Sequence, residues 1–227
     1  MGTAITAGRV VGALILAQLV SGVLMNFVLT TPAFDDTGFL AAASPHAEQI
    51  GLSALLGIAT GALFVAMAIT AFPVLRPRSQ GMAIWLIAVA VACLAVAAIE
   101  QLSVMSMVSL SEAYAKASPV EHDQFQALGG VVAAARRWAH YLGRIADGCV
   151  LFVLYAAMYR FGLIPRAFAG FGVVAVILQL AAVAMPFFGH DVLFPLLAPL
   201  GLCQLALASW LIIKGFHSQT NAPLGAV

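Results

Sequence analysis

The sequence predicts an all-α membrane protein, a polytopic helical bundle with about six transmembrane helices. Hydrophobic residues make up 63% of its 227 residues and charged residues only 8%, whereas a soluble domain carries about 25% charged residues. The apolar runs are about 20 residues long, as a membrane-spanning helix requires, and they lack the period-two alternation of barrel strands. Because backbone polar groups in lipid must bond to one another, such runs are expected to fold as helices.

Six apolar segments follow one another along the chain. They cover about 9–29, 49–72, 81–107, 138–159, 165–185 and 193–213. The first is longer than the apolar region of a secretory signal peptide, and no clear A-x-A cleavage site follows it, so we interpret it as a retained helix. It ends before Pro32 and the Asp35-Asp36 pair, and the second segment ends before Pro73. Residues 1–217 are therefore expected to form one transmembrane domain, with 218–227 as a flexible polar tail.

A short outer helix is predicted before the fourth segment. Ser118, Pro119 and Glu121 supply a capping serine, a proline at the first helical position and a glutamate at the third. This is the pattern of a capping box. The helix is expected to run toward the fourth segment and to bend at Gly129-Gly130.

The positive charges predict the orientation in the membrane. With six crossings, one side of the bundle carries Arg9, Arg76, Arg78, Arg160, Arg166 and Lys214. Cytoplasmic loops are enriched in lysine and arginine, so this side, and with it both termini, is expected to be cytoplasmic. The other side carries Asp35, Asp36, Glu48 and Asp191, together with a mixed loop that contains Lys116, Arg136 and Arg137.

Ionisable residues inside the apolar segments are the candidate functional residues, because charge in a bilayer is costly. His140, Arg144 and Asp147 are spaced i, i+4, i+7 and share one helix face. This face is expected to point into the bundle, where Glu100 is the predicted partner of Arg144 and Gln179 lies at similar depth. Either Arg144 bridges Asp147 and Glu100 and so locks the third and fourth spans together, or the group lines a polar pocket that opens to the outside, and the two interpretations are compatible.

The sequence predicts no metal site and assigns no cofactor. His46, Glu48 and His190 are the weak candidates for metal ligands, but they form no HExxH or paired-histidine spacing, and Arg144 would repel a cation. Cys93, Cys149 and Cys203 lie in apolar runs without a CxxC pair, so we interpret them as small hydrophobic residues. The lack of a basic run argues against nucleic-acid binding.

Three classes of function remain open from the residues. The first is the binding or transport of a small amphiphile or lipid, with Arg144 pairing an anionic headgroup. The second is an intramembrane enzyme acting on a lipid or isoprenoid, with His140 or Glu100 as general acid or base and Arg144 stabilising negative charge. The third is an accessory subunit that docks against a larger membrane complex, or a homo-oligomer, through small-residue faces. Gly57 and Gly61 form such a small-residue row, which is expected to pack closely either within the bundle or against a second copy.

Three short stretches resemble one family. They are the turn from Tyr159 to Arg166 (YRFGLIPR), the opening from Gly8 to Gly12 (GRVVG), and the ending from Ser209 to Gly215 (SWLIIKG). Together they resemble the DUF4386-type family of bacterial integral membrane proteins. The resemblance implies a multi-pass protein of the bacterial inner membrane with six or seven helices. It implies no activity, so no catalytic residue is carried over from it.

Overall fold

The structure is a computed structural model that describes residues 2–31 and 38–217. Over these residues the chain is helical and contains no strand. The predicted tail at 218–227 lies outside the described residues, as do Pro32, Asp35 and Asp36.

Six of the described helices are long and apolar enough to span a membrane, which confirms the predicted fold class. The helices are α1 (Gly2–Leu24), α2 (Phe39–Ala42), α3 (Ala47–Leu75), α4 (Gln80–Lys116), α5 (His122–Phe161), α6 (Arg166–Ala184) and α7 (Ala198–Lys214). A π-helical turn, Met25–Leu29, extends α1. All except α2 are spans, so the protein is a multi-pass membrane protein.

Two predicted boundaries are wrong. The helix start at Ser118 is present, with the Glu121 carboxylate accepting from the Ser118 backbone N–H at 2.9 Å and from its hydroxyl at 2.7 Å. However, α5 continues from there without a break, so the expected separate outer helix is the first part of the fourth span. Gly129 does not break the helix but allows α2 to pack closely against it, since a Cβ atom at Gly129 would lie 3.0 Å from Leu40 of α2. Similarly, α3 continues through Pro73 for two residues because Leu75 is buried in the core.

The six spans form a ring in which each packs against its neighbours in the sequence, and α1 closes the ring by packing against α7. The order around the ring is α1, α3, α4, α5, α6, α7, so α1 lies across from α5. Glycines bring α1 and α7 close together: a Cβ atom on Gly12 would lie 2.8 Å from the carbonyl oxygen of Ala208. Gly57 and Gly61 of α3 also pack inside the bundle, against Gln101 and Leu94 of α4.

The two ends of the bundle differ in charge and length. We call one the basic end, because it carries Arg9, Arg76, Arg78, Arg160, Arg166 and Lys214 at the helix ends and turns. We call the other the hairpin end. There α4, with 37 residues, and α5, with 40 residues, extend furthest. Helices of these lengths measure about 55 and 60 Å, so their connection projects well beyond hydrocarbon about 30 Å thick.

The main apolar core fills the half of the bundle near the basic end. All six spans contribute to it, and its largest fully buried side chains include Ile15, Met67, Leu86, Tyr155 and Met158. The polar side chains predicted as candidates lie in the other half, toward the hairpin end. The packed apolar half therefore holds the helices together and fixes the direction in which the polar side chains point.

Candidate functional site

The charged face of α5 points toward the interior of the bundle. Leu142, which is 49% exposed, marks the outward side of α5. His140 and Arg144 are each two residues from Leu142, which is a rotation of about 200° around the helix axis, so both lie on the opposite, inward side. Toward the basic end, the Arg144 face continues as Leu151, Tyr155 and Met158, which are 2%, 0% and 0% exposed. The predicted i, i+4, i+7 face is thus the core-facing side of α5.

Two side-chain pairs form on this face, each with a carboxylate: a histidine–glutamate hydrogen bond and an arginine–aspartate ion pair. The His140 Nδ1 atom lies 2.7 Å from Oε1 of Glu100, and Nη2 of Arg144 lies 2.8 Å from Oδ2 of Asp147. Arg144 thus pairs with Asp147 as expected, but its second expected partner is wrong, because Glu100 of α4 binds His140 instead. The reason is depth, since His140 lies one turn closer than Arg144 to the hairpin end and level with Glu100.

The absence of a side chain at Gly143 allows Glu100 to approach α5. A Cβ atom at Gly143 would lie 2.8 Å from Oε2 of Glu100. The Glu100 side chain is 4% exposed, and Arg136 lies within electrostatic range of it. A nearly buried carboxylate is therefore surrounded by a histidine, an arginine and a glycine surface of α5.

The Arg144–Asp147 pair links three helices. The second oxygen of Asp147 accepts a hydrogen bond from the Cys93 thiol of α4 at 3.0 Å. The Gln179 amide of α6 donates to the Arg144 backbone carbonyl at 3.2 Å. Gln179, predicted as a ligand-binding residue, thus contacts the backbone of α5 and positions α6 beside the charged face.

The charged face is only partly covered by protein. The Arg144 side chain is 34% exposed and that of His140 is 25% exposed. The Nε atom of Arg144 is buried without a hydrogen-bond partner among the described residues. The guanidinium thus pairs with a fixed carboxylate through Nη2, while its Nε–H has no acceptor within residues 2–31 and 38–217.

Comparison with known families is consistent with this architecture. The family model described as "Domain of unknown function (DUF4386)" matches residues 10–215. The chain belongs to the DUF4386 family. No curated protein and no solved structure matches it. The match confirms the family suggested by the short sequence stretches, and it assigns no activity to the charged face of this DUF4386 chain.

The weak metal candidates do not form a site in the described part of the DUF4386 chain. His46 contacts the Ala42 carbonyl oxygen at 3.1 Å, Glu48 lies in the first turn of α3, and His190 is exposed in the connection between α6 and α7. Within residues 2–31 and 38–217, no three His, Cys, Asp or Glu side chains are grouped so that they could hold a metal ion.

One polar residue of the site was missed from the sequence, and a second polar residue, outside the site, is buried in α1. Cys93 was interpreted as a hydrophobic residue, although it precedes Glu100 by seven residues and so shares its helix face. Gln18 of α1 is 6% exposed, and neither amide atom has a hydrogen-bond partner among the described residues. Val11, Ile15 and Gln18 are spaced i, i+4, i+7 and therefore share one face of α1. Because Val11 and Ile15 are fully buried, this spacing indicates that Gln18 also faces the interior.

Proposed function

We propose that the hairpin-end half of the bundle contains a polar pocket, open to the non-cytoplasmic side, that binds or transports an anionic amphiphile or lipid. The observation that carries the proposal is the exposure of Arg144 on a core-facing helix face. Its side chain is 34% exposed, although Leu151 and Tyr155 on the same face are 2% and 0% exposed. An exposed surface on the inward side of a ring of helices is best explained by an interior opening.

The chemistry of this face favours an anion. An arginine side chain has five N–H donors in a planar fork, and the Asp147 pair engages Nη2 of Arg144. Guanidinium groups bind carboxylates and phosphates through two parallel hydrogen bonds. Arg136 lies within electrostatic range of Arg144, and the positive charge of two guanidinium groups on one face favours an anionic headgroup.

A second candidate is an intramembrane enzyme that acts on a lipid or isoprenoid. The observation that favours it is the 2.7 Å contact between His140 and Glu100, which is the geometry of a general base oriented by a carboxylate. Turnover of a bound lipid that stops in His140→Gln, with lipid binding retained, would support this candidate over simple binding.

The proposed pocket is tested by Arg144→Ala. We expect wild-type protein to retain lipid in native mass spectrometry and the variant to lose it, because a charged hydrogen bond contributes about 1.5–3 kcal/mol, tenfold or more in affinity. The matched control is Arg166→Ala, which removes an exposed arginine at the basic end. Identical bound lipid in wild type and in Arg144→Ala would rule out the pocket.

We also propose that the basic end is cytoplasmic in a bacterial inner membrane, so that both termini are inside. Green fluorescent protein fused after Val227 is then expected to fluoresce, and alkaline phosphatase fused there to be inactive. Fusions made after Asp191, in the connection between α6 and α7, are expected to give the reverse. A fluorescent fusion after Asp191 would contradict the orientation.

A further inference from the structure

The contact between α6 and α7 is the least extensive of the six neighbouring pairs in the ring. We call the line between these two helices the seam. Helix α7 packs instead onto α1, where Gly8 meets the backbone of Gly215 and Phe216. The bundle is thus held together along five contacts, and the seam is where two helices can separate at least cost.

The basic-end half of the seam has apolar packing behind it. Tyr155 is fully buried, and its ring lies directly against Gly172 of α6. Tyr155 belongs to the same core cluster as Leu207 and Leu211 of α7. A lipid headgroup has no room in this half, because the space behind α6 and α7 is filled.

The hairpin-end half of the seam lies beside the charged face instead. Arg144 is on the Tyr155 face of α5, 11 residues closer to the hairpin end, which is a distance of about 16 Å along the helix. Gln179 places α6 directly beside it, through the 3.2 Å hydrogen bond to the Arg144 carbonyl. Separation of α6 from α7 at this level would connect the lipid surface of the bundle with the guanidinium.

The connection above this half of the seam carries exposed aromatic side chains. Phe188 is 77% exposed and Phe194 is 74% exposed. Phe187 packs on Trp138 of α5 with ring centroids 5.1 Å apart. Tryptophan side chains at the ends of membrane spans are enriched at the lipid–water interface, so Trp138 and the connection that packs on it are expected to lie near the lipid headgroups.

We propose that the ligand of the charged face is an anionic membrane lipid that enters sideways through the seam, with its headgroup at Arg144 and its acyl chain between α6 and α7. This inference rests on the proposed anion pocket and adds the ligand class and the route. A lateral route lets the headgroup leave water for the guanidinium while the chain stays in hydrocarbon. A water-soluble anion would enter from the hairpin end instead and would need no seam.

The test uses full-length protein in nanodiscs that contain phosphatidylglycerol with a photoactivatable diazirine in the acyl chain and an alkyne tag. After illumination, labelled peptides are mapped by mass spectrometry in wild type, Arg144→Ala and Arg166→Ala. We expect the hairpin-end halves of α6 and α7 to be labelled in wild type and in Arg166→Ala. Labelling there is expected to fall about tenfold in Arg144→Ala.

The seam is overturned if labelling is spread over all lipid-facing helices and does not depend on Arg144. A second measurement, binding of water-soluble glycerol phosphate to detergent-purified protein, separates this failure from failure of the pocket. If glycerol phosphate binds wild type and not Arg144→Ala while lipid labelling is spread evenly, the pocket stands and the lateral route is wrong. If neither measurement depends on Arg144, both the pocket and the seam are wrong.

Discussion

Asp147→Ala is expected to lower the free energy of unfolding by about 2–3 kcal/mol. Removing one partner of a buried ion pair costs about 3–5 kcal/mol because the other charge is left unpaired, and the one-third exposure of Arg144 reduces this cost. The variant also removes the acceptor of the Cys93 thiol. The measurement is unfolding in an SDS titration followed by circular dichroism.

The double variant Arg144→Met/Asp147→Leu tests whether the unpaired charge causes this loss of stability. Because it removes both charges, it is expected to regain most of the stability that Asp147→Ala loses. Asp191→Ala, at an exposed position in the connection between α6 and α7, is the matched control and is expected to leave stability unchanged. If Asp147→Ala unfolds like wild type, the guanidinium is already neutralised by another group and the pair is not a structural link.

Gly172→Ala is expected to destabilise the protein by about 1–2 kcal/mol. A Cβ atom there would overlap the ring of Tyr155, which is fully buried and cannot move away. Overpacking of this kind costs about 1–3 kcal/mol, and the better helix propensity of alanine returns up to about 1 kcal/mol. The same SDS titration measures the effect.

Gly170→Ala, two residues away on α6, is the control. A Cβ atom there would make an ordinary contact of 3.4 Å with Tyr159, so the substitution is expected to be neutral or stabilising. Combining Gly172→Ala with Tyr155→Leu is expected to cost less than the sum of the single variants, because the smaller side chain makes room for the methyl group. Equal effects of Gly170→Ala and Gly172→Ala would show that the Tyr155 contact does not limit packing.

The members of the candidate site and the pair between Arg144 and Asp147 could be predicted from the sequence, but the partner of Glu100 could not. The spacing of His140, Arg144 and Asp147 determines a common face, because helical periodicity is a local property. Which side chain meets Glu100 depends on the relative height of α4 and α5, and a single turn of displacement exchanges Arg144 for His140. The bond from Cys93 to Asp147 depends on the same relative height.

The helix ends likewise divide into those that local sequence predicts and those that depend on contacts between helices. The start at Ser118 was predictable, since Glu121 bonds back to it within one turn. The continuation of α3 through Pro73 and of α5 through Gly129 could not be predicted. Local propensity favours a helix end at each residue, but the packing of neighbouring side chains keeps the helix intact. Relative to alanine, glycine inside a helix costs about 1 kcal/mol and proline about 3 kcal/mol. The free energy gained by tertiary packing can exceed both costs.

About six helical membrane crossings follow from the amino-acid sequence alone, because each segment is long and apolar enough to enter lipid as a helix without help from its neighbours. The charge difference between the two ends of the bundle also follows from the sequence. By contrast, the three-dimensional packing was needed to show that α1 closes the ring against α7, that α6 and α7 have the smallest contact, and that Glu100 pairs with His140. These features depend on contacts between segments far apart in the chain, where close packing at residues such as Gly12 and Gly143 sets the distances.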